Sequence, residues 1–185
     1  MNQLLYDFAS WLASFESSPA IHESLYLYPW IEATHVMTLT LFLGMLCFID
    51  LRMLGWSMVS VPASKIAEKL DLPMMIGMAI MFVTGLLLFY AIPIRTTQSL
   101  PFRIKMILML AAIINALLFR RRMLASVSTW DNDPKPPKHI RVGAALSLTF
   151  WAGVVITGRC IAYNWFDCDQ DNSHLINVLA GCLVE

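Results

Sequence analysis

The chain has 185 residues, 58% of them hydrophobic and 14% charged, with a formal net charge of zero. A soluble domain carries about 45–50% apolar and roughly 25% charged residues, so much of this chain calls for a solvent other than water. Zero net charge and the lack of a basic block interleaved with aromatics leave nucleic-acid binding without support.

Residues 1–18 place Leu4, Leu5, Phe8, Trp11, Leu12 and Phe15 at helical spacing, with Asp7, Ser10 and Glu16 between them. The pattern predicts an amphipathic helix too polar to span a membrane, lying on its outer surface or against a partner subunit. It lacks a signal peptide's basic region, apolar run and small-residue cleavage site, and reads as a retained part of the protein.

Four apolar runs follow, at residues 27–49, 72–94, 101–119 and 142–163. Each is long enough, or nearly so, to cross a hydrocarbon core of about 30 Å. Tyr26, Tyr28 and Trp30 suit an interfacial belt at the first entry, where Pro29 is tolerable in an opening turn. Pro73 stands near the start of the second run and Pro93 near its end, where it should stop the helix. Gly77 and Gly85 on that run favour close helix approach.

Lys and Arg in the short loops set orientation. The segment before the first run has none, and the tail has none but carries Asp167, Asp169, Asp171 and Glu185. The first loop has Arg52, Lys65 and Lys69, and the third has Arg120, Arg121, Arg122, Lys135, Lys138 and Arg141. These two loops are therefore expected in the cytoplasm and both termini outside it, although Arg95, Arg103 and Lys105 at the second loop oppose this. The polar, proline-rich stretch 130–137 is a connection rather than a domain. The fold expected is an all-α membrane protein: a four-transmembrane-helix bundle with an N-terminal amphipathic interfacial helix. Its segments are 1–24 (outer helix and linker), 25–165 (transmembrane domain) and 166–185 (periplasmic tail). Cys47 and Cys160 read as small core residues, and Cys168 and Cys182 could pair if the tail is periplasmic.

Ionisable side chains inside a span are costly and mark candidate sites. The first span holds Glu32 and His35, spaced i, i+3 on one face. With a rise of about 1.5 Å per residue, His35 lies roughly 5 Å outward of its span's centre. Glu32, Lys105 and Arg159 lie about 9–10 Å outward, in one layer. One chemistry for this layer is haem b: His35 ligates the iron, Lys105 and Arg159 hold the propionates, and Glu32 sits one turn away. No second histidine lies in a span; Met109, nearly at the depth of His35, is either a packing residue or a second ligand, and a five-coordinate iron or a ligand from another subunit is equally open. The other chemistry is structural: Glu32 and Arg159 form an interhelical ion pair, and His35 donates to a carbonyl or to a threonine such as Thr34, Thr38, Thr84 or Thr157. No hydrolase set, phosphate-binding glycine loop or His/Cys zinc cluster is visible, so the chain has no catalytic constellation of its own.

Several strings together carry a resemblance: Trp30-Ile31-Glu32-Ala33-Thr34-His35, Asp50-Leu51-Arg52-Met53-Leu54-Gly55 and Thr84-Gly85-Leu86-Leu87-Leu88-Phe89. Phe102-Arg103-Ile104-Lys105, Asn115-Ala116, Trp151, Gly158-Arg159 and Ala162-Tyr163 complete the set. Over roughly residues 26–165 the chain resembles an uncharacterised family of small four-helix bacterial membrane proteins, distantly similar to the copper-resistance protein D group. The resemblance implies a multi-pass protein of the bacterial inner membrane. Relatives often end the third helix with histidine after Asn-Ala-x-x-Phe, where this chain has Arg120. Copper handling would want clustered Met, His or Cys at a mouth, and no such cluster is visible.

Three functions are in play. The first is a b-type haem protein or electron-transfer subunit of a respiratory or oxidoreductase complex. The second is a cofactor-free accessory or scaffold subunit of a larger membrane complex, with partner subunits or further copies as its contacts. The third is a small-solute or metal transporter, for which the prolines of the second span are the cue and oligomerisation a requirement.

Overall fold

The computed structural model describes residues 2–182, which form eight α-helices and no strand. Leu183, Val184 and Glu185 lie outside the described residues, so the last acidic group of the tail does too.

The amphipathic start is two helices rather than one, α1 (Asn2–Ala13) and α2 (Ser17–Glu23). The four long helices are α3 (Leu27–Leu54), α4 (Ala63–Ala91), α6 (Leu100–Trp130) and α7 (Lys138–Ala162), each apolar and long enough to cross a membrane. The chain is a multi-pass membrane protein of four spans. Most of the apolar surface of these helices is exposed, as expected where lipid is the solvent. Cys47, expected as a core residue, is among the exposed groups, because an apolar side chain facing lipid needs no burial in protein.

Pro93 does stop α4: the helix ends at Ala91, and Pro93 opens the short α5 (Pro93–Thr97), where its missing N–H costs nothing. Pro73 lies inside α4 without breaking it. At about 1.5 Å per residue, the 28–31 residues of α3, α4 and α6 make rods of roughly 42–46 Å, longer than the hydrocarbon. The excess lies where the sequence reads as loop. Helix α4 starts at Ala63, nine residues before its apolar run, and α6 continues past Arg120-Arg121-Arg122 to Trp130.

The chain divides into two compact units. One gathers the described residues of Met1–Val36, Met81–Ile107 and Val154–Glu185; the other gathers Met37–Ile80 and Leu108–Gly153. In the first unit α1 packs on α5, with Ala9 buried. The Ser18 hydroxyl of α2 donates to the Tyr90 carbonyl at 2.7 Å. Helix α8 (His174–Ala180) is tied down by a disulfide between Cys168 and Cys182, whose Cα atoms are 5.5 Å apart.

The second unit holds a buried cluster of Met53, Leu54, Ala63, Trp130, Ile140 and Ala144, built from the overshooting helix ends. Met123 and Val127 pack against it, so positions 123, 127 and 130 present one face of α6 to a core. Arg52 runs through this region fully buried. Its guanidine donates to the carbonyls of Val61 (2.8 Å), Asp131 (3.1 Å) and Asp133 (3.2 Å). Asp131 answers from the α6–α7 loop by capping α4, accepting from the Ser64 N–H at 2.8 Å and the Ser64 hydroxyl at 2.6 Å.

Candidate functional site

Four of the five side chains expected to form a site fall in the first unit: Glu32 and His35 on α3, Lys105 on α6 and Arg159 on α7. Met109 falls in the second unit.

His35 is half-buried, and Gly85 of α4 leaves room for it. A β-carbon on Gly85 would lie 3.5 Å from the ring's Cε1. Close approach is one role of this glycine, as its sequence suggested, and the group it admits is the imidazole. His35 Nδ1 lies 2.9 Å from Thr84 Oγ1. The Thr84 hydroxyl donates into the helix, to the Met81 carbonyl at 3.3 Å, so its lone pair is what faces the imidazole. That assigns the proton to Nδ1 and leaves Nε2 as the unprotonated nitrogen.

Lys105 is half-buried against α7, where a β-carbon on Gly158 would lie 3.9 Å from its ammonium. It is close enough to His35 to act on the ring electrostatically. Gly158 was read only as part of a string, yet it makes the bare surface on which the Lys105 cation rests. Arg159, one residue on and about 100° round the helix, is exposed. It donates to the Tyr163 hydroxyl at 2.7 Å and lies over that ring, 4.9 Å from its centroid. Glu32 is exposed, and among the described residues no ion pair links it to Arg159. The layer is therefore two parts: an inward pair, His35 and Lys105, and two exposed charges, Glu32 and Arg159.

Arg103 is the arginine that joins the small helices of the first unit. It donates to the Thr97 carbonyl of α5 (3.4 Å), Asn2 Oδ1 of α1 (3.2 Å) and the Leu179 carbonyl of α8 (3.1 Å). It packs across Gly181, whose φ of +78° and missing side chain allow the guanidinium to sit there. Nothing in the spacing of the sequence pairs Arg103 with residues 76–101 positions away.

Arg120 holds Asp71 of α4 through its two terminal guanidinium nitrogens at 3.1 and 3.4 Å. Among the described residues no three His, Cys, Asp or Glu side chains are grouped to hold a metal ion.

A family model described as "Family of unknown function (DUF6644)" matches residues 24–164. The chain belongs to that family. The match spans all four long helices of this DUF6644 member and leaves out the whole of α1, α2 and α8. All five candidate site residues, and the two arginines Arg52 and Arg103, lie inside it. No curated protein and no solved structure matches the chain.

Proposed function

We propose that this protein is a small b-type haem protein, acting as an electron-transfer subunit of a respiratory or oxidoreductase complex in the bacterial inner membrane. The observation that carries the reading is His35: Nδ1 is held by Thr84, which leaves Nε2 as the nitrogen that would coordinate. Metal-ligating histidines characteristically use the second nitrogen in this way, which fixes the ring and raises its basicity. The donor set fits the group. Lys105 and Arg159, in the same unit as His35, offer the two cations that haem propionates in low dielectric need. The bound haem would supply one-electron redox chemistry. The chain itself orients the imidazole and provides charge for the propionates. The second axial position is left to a subunit contact or to a five-coordinate iron.

The test is a dithionite-reduced minus air-oxidised spectrum of detergent-purified protein expressed with haem supplied, with a pyridine haemochrome assay. We expect b-type bands near one haem per chain, lost in His35→Ala. A featureless spectrum from well-folded protein rules the reading out. Thr84→Val sharpens the result: loss of the bond to Nδ1 should weaken haem retention about 10–100-fold while the fold persists.

A second reading, a cofactor-free accessory subunit, draws on the same bond, because Thr84 also satisfies the imidazole as simple interhelical glue. It further draws on α1, which exposes Leu4, Phe8 and Trp11 along one stripe. Colourless protein that co-purifies with partner subunits at fixed stoichiometry would favour it.

Topology belongs to the same proposal. The loops rich in Lys and Arg are assigned to the cytoplasm, and both termini with the Cys168–Cys182 disulfide to the periplasm, where disulfides persist. A membrane-impermeant thiol reagent should label cysteines engineered at Ser17 in intact spheroplasts. Labelling only after lysis reverses the assignment.

A further inference from the structure

We propose that Arg121 is a phosphate clamp for an anionic glycerophospholipid whose acyl chain lies along the exposed face of α6. The three arginines at 120–122 are not equivalent, since successive residues of a helix point about 100° apart. Arg120 turns toward α4 and is neutralised by Asp71. The opposite flank of the helix faces α7. There Asn115 donates to the Gly143 carbonyl at 2.9 Å, and the Phe119 ring lies 3.0 Å from where a Gly143 β-carbon would be. Measured round the helix from this flank, Arg120 lies about 130° away and Arg121 about 230° away. Arg121 thus points away from both neighbours. It is exposed and has no acidic partner among the described residues.

Beneath Arg121 on its own face stand Leu110, Ile114 and Leu117, spaced i−11, i−7 and i−4 and exposed by 60%, 49% and 57%. In a span these groups face hydrocarbon. The stripe from Leu110 to Arg121 covers eleven residues, or about 16 Å. That matches one leaflet's share of a hydrocarbon core of about 30 Å. A lipid laid along it would put its chain on Leu110, Ile114 and Leu117 and its phosphate at the guanidinium. The guanidinium fork suits a phosphate diester, and a second, anionic headgroup charge adds to the attraction. A pure topology anchor would need positive charge alone and would be indifferent to which lipid is present.

The experiment is native mass spectrometry of the full chain released from bicelles of equal phosphatidylcholine and phosphatidylglycerol, counting retained lipid. Wild type should retain phosphatidylglycerol over phosphatidylcholine. Arg121→Gln should cut that adduct about fivefold, and Lys138→Gln, a charge away from the stripe, should leave it unchanged. Arg121→Lys keeps the charge and the topology but loses the fork, and should fall between. Equal retention in Arg121→Gln overturns the clamp, as does an equal loss in Lys138→Gln, which would mean diffuse attraction. Displacement of the adduct by millimolar inorganic phosphate overturns the lipid assignment in favour of a free-anion site. Should Arg121→Gln fail to fold, Ile114→Ser tests the same adduct from the chain side, and undiminished retention there also counts against the proposal.

Discussion

A fully buried arginine with three backbone carbonyls on its guanidine is a junction rather than a surface charge. Arg52 joins the end of α3 to the α3–α4 turn and to the α6–α7 loop. Arg52→Met keeps the volume but takes the guanidine from three carbonyls; that of Asp131 keeps the Ala63 N–H at 3.2 Å, and each carbonyl left without a donor where water cannot reach costs about 1–3 kcal/mol. Thermal unfolding in detergent should show a large fall in midpoint for Arg52→Met, with Arg52→Lys in between. Asp131 sits in the same junction. Burial pushes its carboxyl up, but the hydrogen bonds from the Ser64 hydroxyl and N–H, the nearby Arg52 charge and the Ala63 N–H outweigh that and hold it below the ordinary carboxylate range. A carboxyl lowered on folding stabilises above its unfolded pKa, about 3.9, and loses that contribution as pH falls through the folded value. Stability should therefore drop below about pH 4. Ser64→Ala should flatten that part of the profile, and an unchanged acid limb in the variant would refute the linkage. Glu32 and His35 were visible to sequence reading because ionisable groups in a span are rare. Arg52 was visible only as the end of a helix, since the carbonyls it serves come from residues 61, 131 and 133.

Helix α3 ends in a Schellman arrangement: the Trp56 N–H reaches the Leu51 carbonyl at 3.0 Å, and the Gly55 N–H reaches that of Arg52 at 3.0 Å. Gly55 takes a φ of +75°, and a β-carbon there would lie 2.8 Å from the Pro134 carbonyl. Gly55→Ala should cost about 1–2 kcal/mol for the left-handed backbone, and more for the clash, read as a lower unfolding midpoint. Helix α8 depends on a different constraint. Its seven residues are too few to hold a helix in water alone, and the Cys168–Cys182 bond closes a loop with a sequence separation of 14. Cys168→Ser should remove about 3 kcal/mol of loop constraint and speed amide exchange across α8, leaving the long helices unaffected. The existence of the four long helices was legible in their apolar runs. Their full length was not, because residues 63–71 and 120–130 mix charges with a narrow apolar face, and only Met123, Val127 and Trp130 at helical spacing hinted at it.

Among the described residues the cluster of buried apolar side chains is not spread along the spans. It gathers at the helix ends of the second unit, around Trp130 and Ile140. Along the spans lipid is an adequate partner for apolar groups, so exposed residues such as Phe82 gain little from protein contact. Trp130→Ala should therefore cost about 3–5 kcal/mol, and Phe82→Ala less than about 1 kcal/mol, measured as unfolding in mixed micelles. The sequence by itself determined the class of the protein. Four long apolar runs cannot be hidden from water in 185 residues, and backbone hydrogen bonding in lipid leaves helices as their form. It also singled out His35 and Lys105, because a charge or imidazole at that depth stands out against its neighbours. Only the tertiary structure decided which of these groups meet. His35 meets Thr84, Lys105 rests on Gly158, Arg159 turns to Tyr163, and Arg120 takes Asp71. The apolar runs are hydrophobic on every side, so periodicity does not say which face of a span turns inward. Side-chain partners across helices are set by packing at distances along the chain that no local pattern records.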